Sequence, residues 1–157
     1  RGGQNTRIGA GATREVFSII KGIVDPALEM ATDRLMRLKN ASGRIVVIEF
    51  GADPDVRIEE LLDSGPRPLV SMEIKGGTDV SNIHNRLGEA EKSHQKAKKR
   101  GFFEFWTLVR CDLDLDHARR ETPTTGRFFH IDSLQSKTSP EYRQFRDLLC
   151  SVIGIPV

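Results

Sequence analysis

Cysteine is almost missing from this sequence: its 157 residues hold only Cys111 and Cys150, far apart and neither in a CxxC pair. That scarcity excludes a disulfide framework and cysteine-rich zinc sites, and it suits a reducing compartment, so a cytoplasmic protein is expected. Long apolar runs are missing too. No stretch approaches the roughly 20 residues that a membrane-spanning helix needs, while hydrophobic and charged fractions of 38% and 29% are those of an ordinary globular domain. Excess charge of one sign is also lacking, and a formal net charge of +2 does not by itself announce nucleic-acid binding. The opening RGGQNTRIGAGA has no initiator Met and no apolar signal segment, so the chain reads as an excerpt of a longer protein. Its length suits one domain over 1–157 with a single core.

What is present is charge in separate clusters. Lys92 to Arg100 carries five cations and no acid, whereas acids gather at Asp53, Asp55, Glu59, Glu60 and Asp63 and again at Asp112, Asp114 and Asp116. A basic surface beside an acidic pocket suits a protein that attracts phosphates while holding a cation. A solvated helix end explains the basic run equally well.

Residues 1–12, rich in glycine and polar side chains, read as a flexible lead-in. Thr13 reads as an N-cap, Val16, Phe17, Ile20 and Val24 follow helical spacing, and Asp25-Pro26 reads as a restart. Leu28, Ala31, Leu35 and Leu38 continue the stripe, which predicts one long helix or a kinked pair ending near Asn40 to Gly43. Strands are expected over Arg44 to Phe50, Asp55 to Leu61 and Leu69 to Lys75, forming an antiparallel meander. Asp79 or Ser81 can cap a helix with Ile83, Leu87, Ala90 and Ala97 on its apolar side, ending before Gly101. Phe102 to Arg110 reads as an apolar strand, 111–126 as a polar loop and Arg127 to Leu134 as another strand. Tyr142, Phe145, Leu148, Leu149 and Val152 form a closing amphipathic helix. This order implies an α/β fold, a mixed central sheet flanked by helices on both faces.

Phosphodiester hydrolysis needs a cation, an activated water and in-line positioning, which carboxylates and a lysine can supply. Glu73 and Lys75 stand two apart on the third strand, so the pleat points both to one face. On a mostly apolar strand they should line a cleft or pair with each other. The turn at Pro54-Asp55 can bring Asp55 beside Glu73, where both carboxylates could hold one Mg²⁺. Asp53 is the substitute ligand if the turn falls later, and Glu49 is a weaker candidate. An ion pair on the face of an exposed strand, with no catalytic role, is the plain alternative for Glu73 and Lys75.

Pro54-Asp55 followed by Glu73-Ile74-Lys75 resembles the PD-(D/E)xK nuclease superfamily, and the element order over residues 13–153 is similar to its restriction-endonuclease-like core. The resemblance implies a catalytic endonuclease domain in which Asp55 and Glu73 bind metal and Lys75 orients or activates water. Glu15, on the first helix, is then a possible auxiliary acid. The stretch KGGTDVSNIHNRLGEAEKSHQKAK looks like type II restriction endonucleases of the XcyI kind. That implies a homodimer cutting double-stranded DNA at a GC-rich palindrome. Gly76 and Gly77 would let backbone N–H groups approach a phosphate, although a plain strand-to-helix turn explains them as well. Asn82, Asn85, Arg86 and Lys92 are candidates for contact with bases or phosphates, with a solvated face as the alternative. A structure-specific repair or recombination nuclease, or a non-catalytic DNA-binding module, would carry many of the same features.

Other signals point elsewhere. Asp112, Asp114 and Asp116 imitate a calcium loop, but His117 stands where glycine is needed and Pro123 where glutamate is needed. His84, His94, His117 and His130 lack zinc-ligand spacing and are expected to be exposed or hydrogen-bonded. Phe102, Phe103, Phe105 and Trp106 read as core packing, and Arg119, Arg120 and Arg127 as possible phosphate clamps.

Overall fold

A computed structural model describes the backbone of residues 2–157 and the side chains of 11–157. The elements are α1 (Gly2–Val24), β1 (Leu28–Ala31), β2 (Leu35–Lys39), β3 (Ile45–Phe50), β4 (Val56–Leu62), β5 (Gly65–Lys75), α2 (Ile83–Lys99), β6 (Glu104–Val109), α3 (Leu115–Glu121), β7 (Arg127–His130), α4 (Ile131–Leu134) and α5 (Pro140–Ile153). Short 3-10 turns at Asp25–Ala27 and Val80–Asn82 precede β1 and α2.

One seven-stranded sheet in the order β1 to β7 runs through the molecule. Neighbours from β1 to β5 are antiparallel, while β5, β6 and β7 are parallel. The switch follows from the connections, since short turns join antiparallel neighbours and a helical crossover is needed to return the chain in the same direction. The mixed sheet flanked by helices is therefore the expected fold class. Val16 and Ile20 of α1, Val70, Met72 and Ile74 of β5, and Phe145 and Leu149 of α5 share the main core on one face. Trp106, Phe129 and Phe145 meet edge to face there, with ring centroids 5.0 to 5.7 Å apart. On the opposite face, α2 covers Ser71 and Glu73.

Four expectations need correction. The long helix ends at Val24, and the segment expected to prolong it forms the hairpin β1–β2. Leu28, Ala31, Leu35 and Leu38 fit a helical period, but β2 buries Met36 and Leu38 in alternation and pairs along its length with β3. The Thr32 hydroxyl turns the chain by accepting from the N–H groups of Arg34 and Leu35 at 3.2 and 3.1 Å. Asp25-Pro26 thus opens a single 3-10 turn. Secondly, the expected loop over 111–126 contains α3, whose cap is the Asp114 carboxylate and whose one buried residue is Ala118. So polar a helix leaves little apolar period to read. Thirdly, the strand expected over Arg127 to Leu134 stops at His130, whose imidazole caps α4. Most of the expected lead-in lies outside the residues whose side chains are described. Gly11, Ala12 and Thr13 lie within α1, so Thr13 is not its N-cap, and Ala12 is fully buried.

The C-terminal end of α5 is tied to the β2–β3 turn. Gly154 takes the left-handed φ of 81° that ends the helix, and its carbonyl accepts from Ala41 N–H at 2.8 Å. The Asn40 amide donates to the Ile153 carbonyl at 3.2 Å and to Glu60 at 2.7 Å. A Cβ at Gly154 would sit 3.4 Å from the Asn40 side chain, an ordinary contact, so it is the left-handed φ that favours glycine.

Candidate active site

Strand register brings the acids together. Val56 pairs with Met72, so Asp55, one residue earlier, stands opposite Glu73 on the same face. The turn before it contains a cis Asp53–Pro54 peptide bond. Asp55 N–H donates to Glu73 Oε2 at 3.0 Å, and Asp55 Oδ2 accepts from Ile74 N–H at 2.8 Å. Each carboxylate is thus aimed by the other residue's strand. Lys75 Nζ lies 3.4 Å from Glu73 Oε1, with both side chains largely buried.

Helix α2 supplies a fourth group. The Ser93 hydroxyl donates to Glu73 Oε2 at 2.9 Å. Beside it, His94 is fully buried between the Ser71 and Thr107 hydroxyls, at 2.9 and 3.0 Å. The Thr107 hydroxyl continues to Thr125, Thr122 and Glu91, so a chain of polar contacts fastens α2 to the sheet. Burial pushes His94 down to about 4.

The electrostatics are those of two acids sharing a poorly solvated space. Burial pushes Glu73 up to about 7, with the Asp55 charge adding to the effect, while Lys75 and the Asp55 and Ser93 donors oppose it. Asp55 is also raised, first by burial and then by Asp53 and Glu89, against the pull of Ile74 N–H and Lys75. Two oxygen donors that repel each other suit a small hard cation, whose charge would relieve both the repulsion and the desolvation. The donor chemistry fits Mg²⁺.

The other expected residues divide. Asp53 is exposed, with its carboxylate 3.5 Å from Lys96 and its carbonyl accepting from Arg100 at 3.1 Å, so the turn presents Asp55 instead. Glu49 is taken by Arg57 at 2.5 Å. Glu15 is bound by Arg110 and by Gln135, so its carboxylate already has partners outside the acid pair. Gly76 and Gly77 follow β5 directly, and a Cβ at Gly77 would meet open space, so no protein contact requires glycine there. Asn82 is tied to Asp79 at 3.1 Å, while Asn85 and Lys92 are exposed. Arg86 and Glu89 lie two turns and one turn before Ser93 along the same side of α2. Sequence reasoning missed Ser93, Glu89 and Lys96 as neighbours of the site, although their shared helical spacing with Arg86 was available as a signal. Phe102, Phe105 and Trp106 are core as expected, while Phe103 is half-exposed under Arg67.

The chain resembles known proteins along its whole length. The family described as XcyI restriction endonuclease matches residues 1–156. The type II restriction enzyme Cfr9I of Citrobacter freundii is 46% identical over 157 residues, covering 99% of this chain and 48% of that protein. The type II restriction enzyme XcyI of Xanthomonas campestris pv. cyanopsidis is 46% identical over 158 residues, covering 99% and 47%. The chain therefore spans about half the length of the curated relatives it matches. No solved structure matches it. A match across nearly every residue, joined to an acid pair and lysine on adjoining strands, places this chain in the XcyI restriction endonuclease family.

Proposed function

We propose that this chain is the catalytic part of a sequence-specific type II restriction endonuclease that hydrolyses double-stranded DNA with Mg²⁺, as a cytoplasmic homodimer. The observation that supports this most is the approach of the Asp55 and Glu73 carboxylates, each held by a main-chain N–H of the facing strand, beside Lys75. A divalent cation held by Asp55 and Glu73 would neutralise charge on the phosphate in the transition state. Through that cation, Asp55 and Glu73 would set where the scissile phosphate sits. Lys75 orients the attacking water, and its positive charge favours loss of the water's proton to solvent. Ser93 keeps the Glu73 carboxylate turned toward Asp55. Arg86, at the outer end of the α2 side that carries Ser93, suits a phosphate contact beside the cut. The names of the two relatives favour a restriction enzyme over a repair nuclease of the same fold.

Incubation with mixed plasmid DNA, with and without Mg²⁺, tests the activity, and calorimetry with Mg²⁺ or Mn²⁺ tests the acid pair separately. Discrete fragments formed only with metal are expected. Cleavage at the parent rate by Asp55→Ala or Glu73→Ala, or ion uptake unaltered in both, would refute the assignment.

A further inference from the structure

A second group of ligating side chains lies along the other side of α2. His84 of α2 and His117 of α3 meet with ring centroids 4.2 Å apart, and His117 Nε2 is 3.0 Å from His84 Nδ1. Glu121, one turn after His117, places Oε1 3.3 Å from His117 Nε2 and 4.0 Å from His84 Nδ1. The spacing of the histidines along the chain is not that of a zinc motif, yet packing of α3 on α2 brings this pair together across 33 residues.

We propose that His84, His117 and Glu121 form a binding site for a zinc-class transition-metal ion. The ligand atoms lie within 4.8 Å of one another. A tetrahedral ion with bonds of about 2.0 to 2.1 Å spaces its ligands about 3.3 Å apart, so small side-chain movements would seat one. Two imidazole nitrogens and one carboxylate leave a fourth position open, as in three-ligand zinc sites. His84 and His117 also line a hollow of about 250 Å³ between α2 and the 112–118 segment, from which water or a small anion can reach that position. All three side chains are partly exposed, which gives an ion a way in. Arg120 lies 3.3 Å from His117 Nδ1 and must swing aside so that this nitrogen can carry the proton when Nε2 binds metal. Its exposure at the end of a flexible stem permits that.

Ligand type separates this site from the acid pair, because imidazole favours zinc-class ions and an all-oxygen set favours Mg²⁺. A bound ion would staple α3 to α2, where Ile83, Leu87, Cys111 and Ala118 already pack in a small apolar cluster.

The test begins with an Asp55→Asn/Glu73→Gln chain, which takes the acid pair out of the count. Titration with Co²⁺, followed by absorption, should give one equivalent with the intense spectrum of a four- or five-coordinate, nitrogen-ligated ion. Zn²⁺ should raise the melting temperature. Added His117→Ala or His84→Ala should abolish both effects, and Glu121→Gln should weaken them. The unsubstituted chain in saturating Mg²⁺ provides the same reading if the acid-pair variant fails to fold. An unchanged Co²⁺ spectrum in the histidine variants, or no Co²⁺ uptake by the parent, would leave the three side chains as a hydrogen-bonded cluster only and overturn the proposal.

Discussion

Asp55 donates its main-chain N–H to the Glu73 carboxylate, while its own carboxylate accepts from the main chain of Ile74, the residue after Glu73. Each acid is therefore oriented in part by the main chain of the facing strand, with the Ser93 hydroxyl adding a second hold on Glu73. The pair is set by the strand register itself, which makes its chemistry separable from its folding.

Isosteric changes should exploit that separation. Asp55→Asn and Glu73→Gln are expected to remove Mg²⁺-dependent cleavage while the variants stay folded, since relief of repulsion between two buried acids offsets lost contacts. Thermal melting and plasmid digestion together check this. A cleaving Glu73→Gln protein would count against the metal role.

Lys75 should behave differently. Lys75→Ala is expected to slow cleavage by about 10²- to 10⁴-fold, the usual size of an acid–base contribution to a reacting water, with DNA affinity largely retained. Single-turnover rates and filter binding would show whether the two quantities part.

Ser93 offers a test of positioning. Ser93→Ala removes a donor to Glu73 at 2.9 Å and should weaken Mg²⁺ binding roughly 10- to 100-fold, as loss of a partner that orients a metal ligand generally does. Ser93→Thr, which keeps the hydroxyl, should restore it. Asp53→Ala is the contrasting case: its exposed ion pair with Lys96 contributes about 0 to 1 kcal/mol, and its carboxylate is engaged with that lysine. Stability and Mg²⁺ uptake should both survive.

Acid should loosen the clamp under α2. His94 falls from an ordinary 6.5 to about 4 in the folded protein, so the unfolded chain binds a proton that the folded chain excludes. Stability from this residue is intact above 6.5 and is lost as pH falls toward 4, by up to about 3 kcal/mol. His94→Gln should melt at a lower temperature near neutrality yet lose less stability between those limits. Parallel melting curves for the two proteins over that range decide the matter.

How much of this was legible depended on whether local pattern or tertiary contact carried the information. β3 to β6 and α2 announce themselves through apolar runs and spacing. Asp55, Glu73 and Lys75 are readable because a proline turn and a two-residue pleat place them with no knowledge of the rest. The β1–β2 hairpin was hidden because Leu28, Ala31, Leu35 and Leu38 satisfy a helical period, and only pairing with β3 decides for strand. Ser93 was hidden for another reason: its meaning depends on the angle at which α2 lies over β5. The His84–His117 contact requires α3, which sequence reading took for loop.

The stitching of Asn40 and Ala41 to the end of α5 carries a dynamic consequence. Its final turn is fastened to residues more than a hundred positions earlier, so it should resist the local fraying common at helix ends. In hydrogen–deuterium exchange, amides of that turn should open together with those of the β2–β3 hairpin as one cooperative unit.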